Sequence, residues 1–330
     1  MILRGEHMRK NIILTLMPIL ILASVQFSNA QQTKKATIGI LTLTSDDPLA
    51  KVLREGLRDL GYIEGQNIVF EHRYVHGKVE RLSDVAAELV RMKVDVIVAR
   101  STPVVQAVKK TTTTIPVVIS VPDSVGSGFV ASLARPGGNI TGTSSIMPEL
   151  AGKRLELLRE IFPKLSRVAF LAHGGDPSHP QFIKELQDAA GSAGLQVQPV
   201  VVKGPEEFQS AFDSMARERA GAVIVQPLFA GVLGVAGPIA ELAIKNRLPA
   251  ISDGLRFADA GGLIYYGPDQ LALWRRIPIY VDMILNGAKP GELPVEQPSK
   301  FELIINLKSA KQIGLTIPPN VLARADRVIK

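Results

Sequence analysis

The sequence predicts an α/β protein of two lobes, each built on a parallel sheet with helices on its faces. From Ala36 onward, apolar runs of strand length alternate with helical patterns, and this alternation is typical of right-handed βαβ units. Without an N-terminal segment of 30 residues, 300 of the 330 residues remain. That length exceeds the size at which one core usually stops growing, so we expect two domains.

The first set of elements begins at Ala36. Val94–Ala99 is a continuous β-branched run, which fits a strand buried on both faces. The other predicted strands are Ala36–Leu43, Asn67–Tyr74, Ile115–Val121 and Asn139–Thr143. The predicted helices between them are Leu49–Leu60, Val79–Met92 and Val104–Thr111.

A second set of the same kind follows. Its predicted strands are Arg167–Ala172, Leu195–Val202, Ala222–Val225 and Pro249–Ser252. Its predicted helices are Ala151–Phe162, Gln181–Ala193, Glu206–Glu218 and Ala236–Asn246. The two sets have the same order of elements, so we expect two lobes of similar architecture.

The C-terminal region holds too few elements for a third core. The pattern predicts the strand Leu263–Tyr266, the helix Gln270–Leu285, the extended stretch Glu292–Leu307, the helix Asn306–Ile313 and a short tail. We expect the chain to return to the first lobe and then cross again to the second, through stretches rich in proline and glycine. The predicted first lobe is 31–145 plus 267–296, and the predicted second lobe is 146–266 plus 297–330.

The N-terminal segment predicts export. Arg9 and Lys10 precede the apolar run Ile12–Val25, and small residues follow up to Ala30, which is the order of a secretory signal peptide. The run is shorter than the roughly 20 apolar residues of a membrane span. Met1 and Met8 both remain possible starts. The chain has no cysteine, so disulfides, thiolate metal sites and a lipid-bearing cysteine are excluded. We expect a periplasmic protein without a lipid anchor.

The sequence contains few signs of catalysis. Residues 41–46, after the first strand, lack the glycines of a dinucleotide-binding turn, and neither a P-loop lysine motif nor a G-x-S-x-G elbow occurs. His72 and His76 have no third ligand near them, so no metal site is predicted. We predict no catalytic residue and no cofactor. The net charge is +7, but the basic residues are scattered, so no nucleic-acid partner is expected.

Polar residues follow the predicted strands, where ligands of open parallel sheets bind. Ser101 and Thr102 precede Pro103 at a helix start. They fit a helix cap, an anion site, or both. Asp123 could pair with a ligand ammonium or be a turn residue. Phe229 is a better stacking candidate than Trp274, which has the spacing of a helix core. The predicted ligand residues are Thr44, Ser45, Ser101, Thr102, Asp123, Asp176, Gln226, Phe229, Asp253 and Tyr266.

Several stretches resemble a known family, the ABC-transporter substrate-binding proteins related to tryptophan/tyrosine-type binding proteins. They are GLRDLGYIEGQNI (56–68), VDVIVARSTP (94–103), SLARPGGNITG (132–142), KRLELLREIFP (153–163), AGGLIYYG (260–267), LPVEQPSKFELIINLKSAKQIGLTIP (293–318) and LARADRVI (322–329). The resemblance implies a type I periplasmic-binding fold, with two Rossmann-like lobes and three hinge crossings.

The resemblance also bears on single residues. Ser101 and Thr102 fall where the family has a small or hydroxylated pair before proline, and Asp123 matches an acidic position. Asp176 lies in a loop, 173–176, that departs from the family's asparagine-containing loop. Gln226 replaces a frequent acid. The departures lie on the second lobe, where the distal part of a ligand would bind.

The resemblance implies a solute receptor of an ABC importer that closes on its ligand and binds an inner-membrane permease. We expect a monomer, with an amino acid or an aromatic carboxylate as its ligand. Two alternatives stay open at the level of sequence. One is a ligand-sensing subunit of a signalling receptor. The other is an exported α/β enzyme, against which the missing motifs count.

Overall fold

The computed structural model describes residues 35–145 and 150–330. The predicted signal peptide, 8–30, lies outside the described residues. Among the residues that are described, no helix is both long and apolar enough to cross a membrane.

The first lobe is built on a five-stranded parallel sheet. Its strands are β1 (Ala36–Thr42), β2 (Ile68–Tyr74), β3 (Val96–Arg100), β4 (Val117–Val121) and β5 (Ile140–Ser144). They lie in the order β2-β1-β3-β4-β5. Every residue of β3 and β5 is buried, as expected for strands with helices on both faces.

The second lobe is built on a seven-stranded sheet. Its strands are β6 (Arg167–His173), β7 (Gln196–Val202), β8 (Ala222–Val225), β9 (Ala250–Ser252), β10 (Ile264–Pro268), β11 (Phe301–Asn306) and β12 (Arg327–Ile329). They lie in the order β12-β11-β10-β9-β8-β6-β7. The prediction of parallel sheets holds from β6 to β10. The last two strands depart from it, because β11 pairs antiparallel to β10 and β12 runs parallel to β11.

The helices cover both faces of each sheet. In chain order they are α1 (Pro48–Asp59), α2 (Leu82–Arg91), α3 (Thr102–Thr111), α4 (Ala151–Ile161), α5 (His179–Ser192), α6 (Phe208–Arg217), α7 (Ala236–Lys245), α8 (Gln270–Trp274), α9 (Ile277–Leu285), α10 (Leu307–Gln312) and α11 (Pro319–Leu322). Apolar residues of α1 and α9 pack on one face of the first sheet, and those of α2 and α3 on the other. In the second lobe, α4 and α5 cover one face, and α6 and α7 cover the other. The predicted two-lobed α/β architecture is confirmed.

The region after β10 corrects two predictions. The helix predicted over 270–285 is two helices, because the chain turns at Arg275 and Arg276 and Pro278 lies in the first turn of α9. Proline has no N–H to donate, so it suits a helix start rather than a helix interior. The extended stretch predicted over 292–307 forms a regular strand only from Phe301. The predicted tail contains α11 and β12.

The path of the chain passes between the lobes three times. β5 belongs to the first sheet, and α4 packs in the second lobe. β10 lies in the second sheet, and α9 then packs under the first. Glu296 bridges to Thr143 of β5, and β11 returns to the second sheet. The lobe boundaries at residues 145, 266 and 296 stay a prediction.

The region after β8 contains a further element that was not predicted from the sequence. A π-helix, Leu228–Val232, follows β8. Leu228 is buried in the apolar cluster of the first lobe, whereas Phe229 and Ala230 are buried in a cluster of the second. The π-helix is therefore a point at which the second lobe packs directly onto the first.

Candidate functional site

A cavity of about 50 Å³ lies between the carboxyl ends of the strands of the two lobes. We call it the cleft cavity. From the first lobe it is lined by Arg100, Ser101, Thr102, Ser120, Val121, Pro122 and Ser145. From the second lobe and the crossing after it, it is lined by Asp176, Pro227, Leu228, Gly231, Val232, Gly254, Gln270, Leu273 and Trp274.

A larger and more open groove, of about 720 Å³, also lies between the lobes. Two of the polar groups along it have partners: His173 Nδ1 accepts from the N–H of Gly175, and the Glu207 carboxylate accepts from the N–H of Lys203. None of the buried unpartnered polar atoms among the described residues belongs to this groove. The cleft cavity is therefore the better candidate site despite its smaller volume.

Ser101 and Thr102 stand where the sequence predicts them, at the junction of β3 and α3. Their hydroxyls are buried and have no hydrogen-bond partner among the described residues. The expected cap is absent, because the Ser101 side chain makes no bond to the start of α3. Ser101 has φ 77° and ψ 151°, a region that costs a residue with a side chain about 1–3 kcal/mol. Two residues with unpartnered hydroxyls thus line the cavity at the positive end of α3.

Arg100 was not predicted to line the site. It is the last residue of β3 and is only 6% exposed. Its guanidinium donates to Asp47 Oδ2 at 2.8 Å and lies 4.4 Å from the centre of the Trp274 ring. A charged residue that ends an otherwise apolar buried strand was the available signal, since such a charge needs a partner.

Asp176 faces the cavity from the second lobe, as predicted. It is almost fully buried, and burial raises the pKa of its carboxyl above the ordinary value of 3.8. Its oxygens accept from the N–H and hydroxyl of Ser178, at 3.0 and 2.7 Å, and from Gln226 Nε2 at 2.9 Å. Gln226 Oε1 accepts from the N–H of His173. Gln226 therefore supports Asp176 and does not line the cavity.

Asp123 does not reach the cavity and follows the turn interpretation. Its Oδ1 accepts from the N–H groups of Val125 and Gly126, and its Oδ2 accepts from Gln181 Nε2 of the second lobe at 3.1 Å. All the hydrogen bonds found for this carboxylate are local or bridge the lobes. The structure gives no support for the predicted contact with a ligand ammonium.

Thr44 and Ser45 also lie outside the cavity lining. Thr44 Oγ1 donates to the carbonyl of Val232 at 3.3 Å, which links the first lobe to the π-helix. Ser45 is exposed. The loop after β1 is therefore an interlobe contact.

Phe229 was predicted to be a better stacking candidate than Trp274, and the structure reverses that order. Phe229 is fully buried between Phe208 and His173, at centroid distances of 5.3 and 5.2 Å, and does not reach the cavity. Trp274 packs in the core beneath the first sheet and also lines the cavity. Its Nε1 donates to Ser120 Oγ at 3.2 Å.

Tyr266 and Asp253 are the remaining predicted residues. Tyr266 lines a separate surface pocket with Lys153 and Phe301. Asp253 is fully buried in an ion pair with Arg154 and lies beside the cavity rather than in its lining. Of the ten predicted ligand residues, the cavity brings together Ser101, Thr102 and Asp176.

Comparisons with known proteins agree with this architecture. A family model described as ABC transporter substrate binding protein matches residues 35–329. A tyrosine-binding protein of Clostridioides difficile is 26% identical over 297 residues, which cover 89% of this chain and 85% of that protein.

Two solved structures are also similar. One is an ABC domain of Streptococcus pneumoniae in complex with L-Trp, with a TM-score of 0.81, 27% identity and coverage of 90% of this chain and 100% of that one. The other is a conserved domain protein of Vibrio cholerae, with a TM-score of 0.82, 27% identity and coverage of 89% and 100%. These likenesses confirm the predicted type I periplasmic-binding fold. The chain belongs to the ABC transporter substrate-binding protein family.

Proposed function

We propose that this chain is the exported solute receptor of an ABC importer and that it traps an amino acid or another carboxylate in the cleft cavity. The observation that carries the proposal is the pair of buried hydroxyls at Ser101 and Thr102, which have no partner among the described residues. An unsatisfied buried polar group costs about 1–3 kcal/mol. A ligand carboxylate would remove that cost by accepting from both hydroxyls.

The position of the hydroxyls favours an anion. They lie at the start of α3, whose N-terminus carries positive partial charge. Hydrogen bonds to a carboxylate are about twice as strong as those between neutral groups. We therefore place the ligand carboxylate at Ser101 and Thr102.

The opposite wall favours a cation. Asp176 lines the cavity from the second lobe, and it replaces Asp123 as our candidate for the ligand ammonium. A ligand that spans both walls would hold the lobes together, which is the basis of hinge closure in two-lobed receptors. The named ligands of the two relatives, tyrosine and L-Trp, are amino acids and support this class.

Export and partner are further parts of the proposal. Residues 8–30 would direct secretion to the periplasm and be removed after Ala30, which N-terminal sequencing of a periplasmic extract would test. The closed receptor would act as a monomer and deliver its ligand to an inner-membrane permease. An intact N-terminal segment found in the membrane fraction would contradict the export step.

Calorimetry on matched variants tests the ligand site. Wild-type protein is titrated with the common L-amino acids, pyruvate and benzoate, and the tightest of these is the probe. The double variant Ser101→Ala/Thr102→Ala should bind that probe more weakly by roughly 2–4 kcal/mol, since two bonds to a charged group are lost and water fills part of the gap.

The chain offers a matched control. The hydroxyls of Ser124 and Thr143 are also buried without a partner among the described residues, but they lie outside the lining of the cleft cavity. The variant Ser124→Ala/Thr143→Ala should keep wild-type affinity. Each variant removes hydroxyls that are buried without a partner, so neither should lose stability through a broken hydrogen bond. Equal affinity in the two double variants would contradict the anchor.

A further inference from the structure

Arg100 has an unusual position for a charged side chain. It lies directly before Ser101 and Thr102 and lines the cleft cavity. A buried guanidinium is costly unless it is paired and hydrogen-bonded. Its contacts therefore indicate what it does in the cavity.

The guanidinium is held from three sides. Nη1 donates to Asp47 Oδ2 at 2.8 Å, and Nη2 donates to the carbonyl of Gly231, on the π-helix, at 3.1 Å. The group also lies over the ring of Trp274. Asp47 is fixed in turn, because its Oδ1 accepts from the N–H of Leu49 at the start of α1. The arginine head thus has a defined place between Trp274 and the π-helix.

This placement leaves little room for a ligand. The cleft cavity has a volume of about 50 Å³, whereas pockets for drug-sized ligands usually enclose about 300–1,000 Å³. The guanidinium covers the ring face of Trp274, the surface on which a ligand ring would otherwise stack. Asp47 neutralises the charge of Arg100, so the group acts mainly through its size and its remaining N–H donors.

We propose that Arg100 is a specificity-determining residue that restricts the cleft cavity to compact carboxylates and excludes aromatic side chains. The inference rests on the proposed function and narrows its ligand class. Compact amino acids and short keto acids would fit beside the guanidinium. An indole or phenol would require the guanidinium to leave its three partners.

The test compares ligand ranking between wild type and a variant with a wider cavity. Asp47→Asn/Arg100→Ala removes both charges, so no buried carboxylate is left alone, and asparagine keeps the cap of α1. Affinities for L-alanine, L-serine, pyruvate, L-tryptophan and L-tyrosine are measured by calorimetry. The wild type should favour the first three. The variant should shift the ratio of tryptophan to alanine affinity by about tenfold or more towards tryptophan.

Two further variants make the result decisive. Arg91→Ala removes an exposed arginine at the end of α2 and should keep the wild-type ranking. Arg100→Lys keeps a charge for Asp47 but lacks the planar group over Trp274. If the double variant does not fold, Arg100→Lys should still fold. It should shift the ratio of tryptophan to alanine affinity in the same direction by a smaller factor.

The outcomes separate the two proposals. A wild type that prefers tryptophan or tyrosine, or a ranking that is the same in wild type and Arg100 variants, overturns the role of Arg100 and leaves the receptor function standing. Failure of every amino acid and carboxylate probe to bind the folded wild type overturns the proposed function, and the role of Arg100 with it.

Discussion

Within the part of the chain that the structure describes, each lobe contains one buried arginine–aspartate pair, and the two pairs differ in where the arginine's other hydrogen bonds go. In the first lobe, Asp47 and Arg100 have side chains that are 1% and 6% exposed, and in the second lobe Arg154 and Asp253 are 4% and 2% exposed. Arg100 also bonds across the cleft to Gly231 and covers Trp274. The second bond of Arg154 stays in its own lobe, from Nε to the carbonyl of Tyr266 at 3.4 Å.

The difference shows that burial and pairing alone do not identify a functional arginine. Arg154 joins α4 to the loop after β9, and Gln270 Nε2 donates to the Asp253 carbonyl beside it at 3.4 Å. This pair therefore joins parts of the second lobe beside the cavity. Arg100 has the same kind of partner, but it also lines the cavity, bonds to Gly231 of the other lobe and covers the ring of Trp274. We therefore expect loss of Arg154 to affect stability and loss of Arg100 to affect ligand choice.

The largest expected effect is the loss of the second-lobe pair. Arg154→Met leaves Asp253 as an unpaired buried carboxylate, so the free energy of unfolding should fall by about 3–5 kcal/mol. Urea denaturation measures the change. Arg324→Met breaks an exposed ion pair with Glu160 and should cost no more than about 1 kcal/mol. A loss below about 1 kcal/mol in Arg154→Met would show that this pair is not the structural one.

A smaller loss of stability is expected when Leu228 is truncated, at the point where the second lobe packs on the first. Leu228 and Leu186 are both 3% exposed, but Leu228 lies between the lobes and Leu186 lies inside the second lobe. Leu186→Ala should destabilise the protein by about 2–5 kcal/mol without changing its radius of gyration. Leu228→Ala should cost less, because the lobes can separate around the missing side chain, and small-angle scattering should show a larger radius. An unchanged radius in Leu228→Ala would rule out this role of the π-helix.

The smallest effect is a pH dependence of binding through Asp176. Burial raises the pKa of its carboxyl above 3.8, and a ligand ammonium would favour the charged form. Affinity for an amino acid should therefore fall as the pH is lowered through this raised pKa. The stability of the unliganded protein changes with pH in the opposite direction. The contribution of Asp176 is fully present below its ordinary pKa and is lost as the pH rises through the raised one.

Replacement of the acid isolates this effect. Asp176→Asn should weaken binding of an amino acid at neutral pH by about 1.5–3 kcal/mol and remove the pH dependence, which calorimetry at several pH values measures. Asp188→Asn, on the exposed face of α5, should leave both unchanged. Retention of the full pH dependence in Asp176→Asn would mean that another group binds the ammonium.

Much of the fold follows from local pattern. Ala222–Val225 was predicted with the bounds that β8 has, and the start of α4 was predicted at Ala151, where the helix begins. Apolar period and helix caps are properties of neighbouring residues, so the sequence displays them directly. The break between α8 and α9 is different. Trp274 and Ile277 keep helical spacing across it, and the change of direction follows from the chain's return to the first lobe.

The site was only partly predictable, because a local sequence pattern does not show where a side chain points after folding. Ser101, Thr102 and Asp176 follow strands whose ends face the cleft, and the rule about strand ends found them. Phe229 and Tyr266 obey that rule too, yet their side chains point into the core and towards the outer surface. Trp274 was hidden, because it belongs to a core pattern and lines the cavity as well.

By itself, the sequence determined the order of strands and helices, the two lobes and the polar character of the strand ends. The tertiary structure decided which of those polar groups remain available to a ligand. Asp123 is engaged by Gln181 and Thr44 by the carbonyl of Val232, and both partners come from the other lobe. The physical reason is that a polar side chain bonds whatever partner the fold brings within reach. In the assembled cleft, no such partner lies within reach of the Ser101 and Thr102 hydroxyls among the described residues.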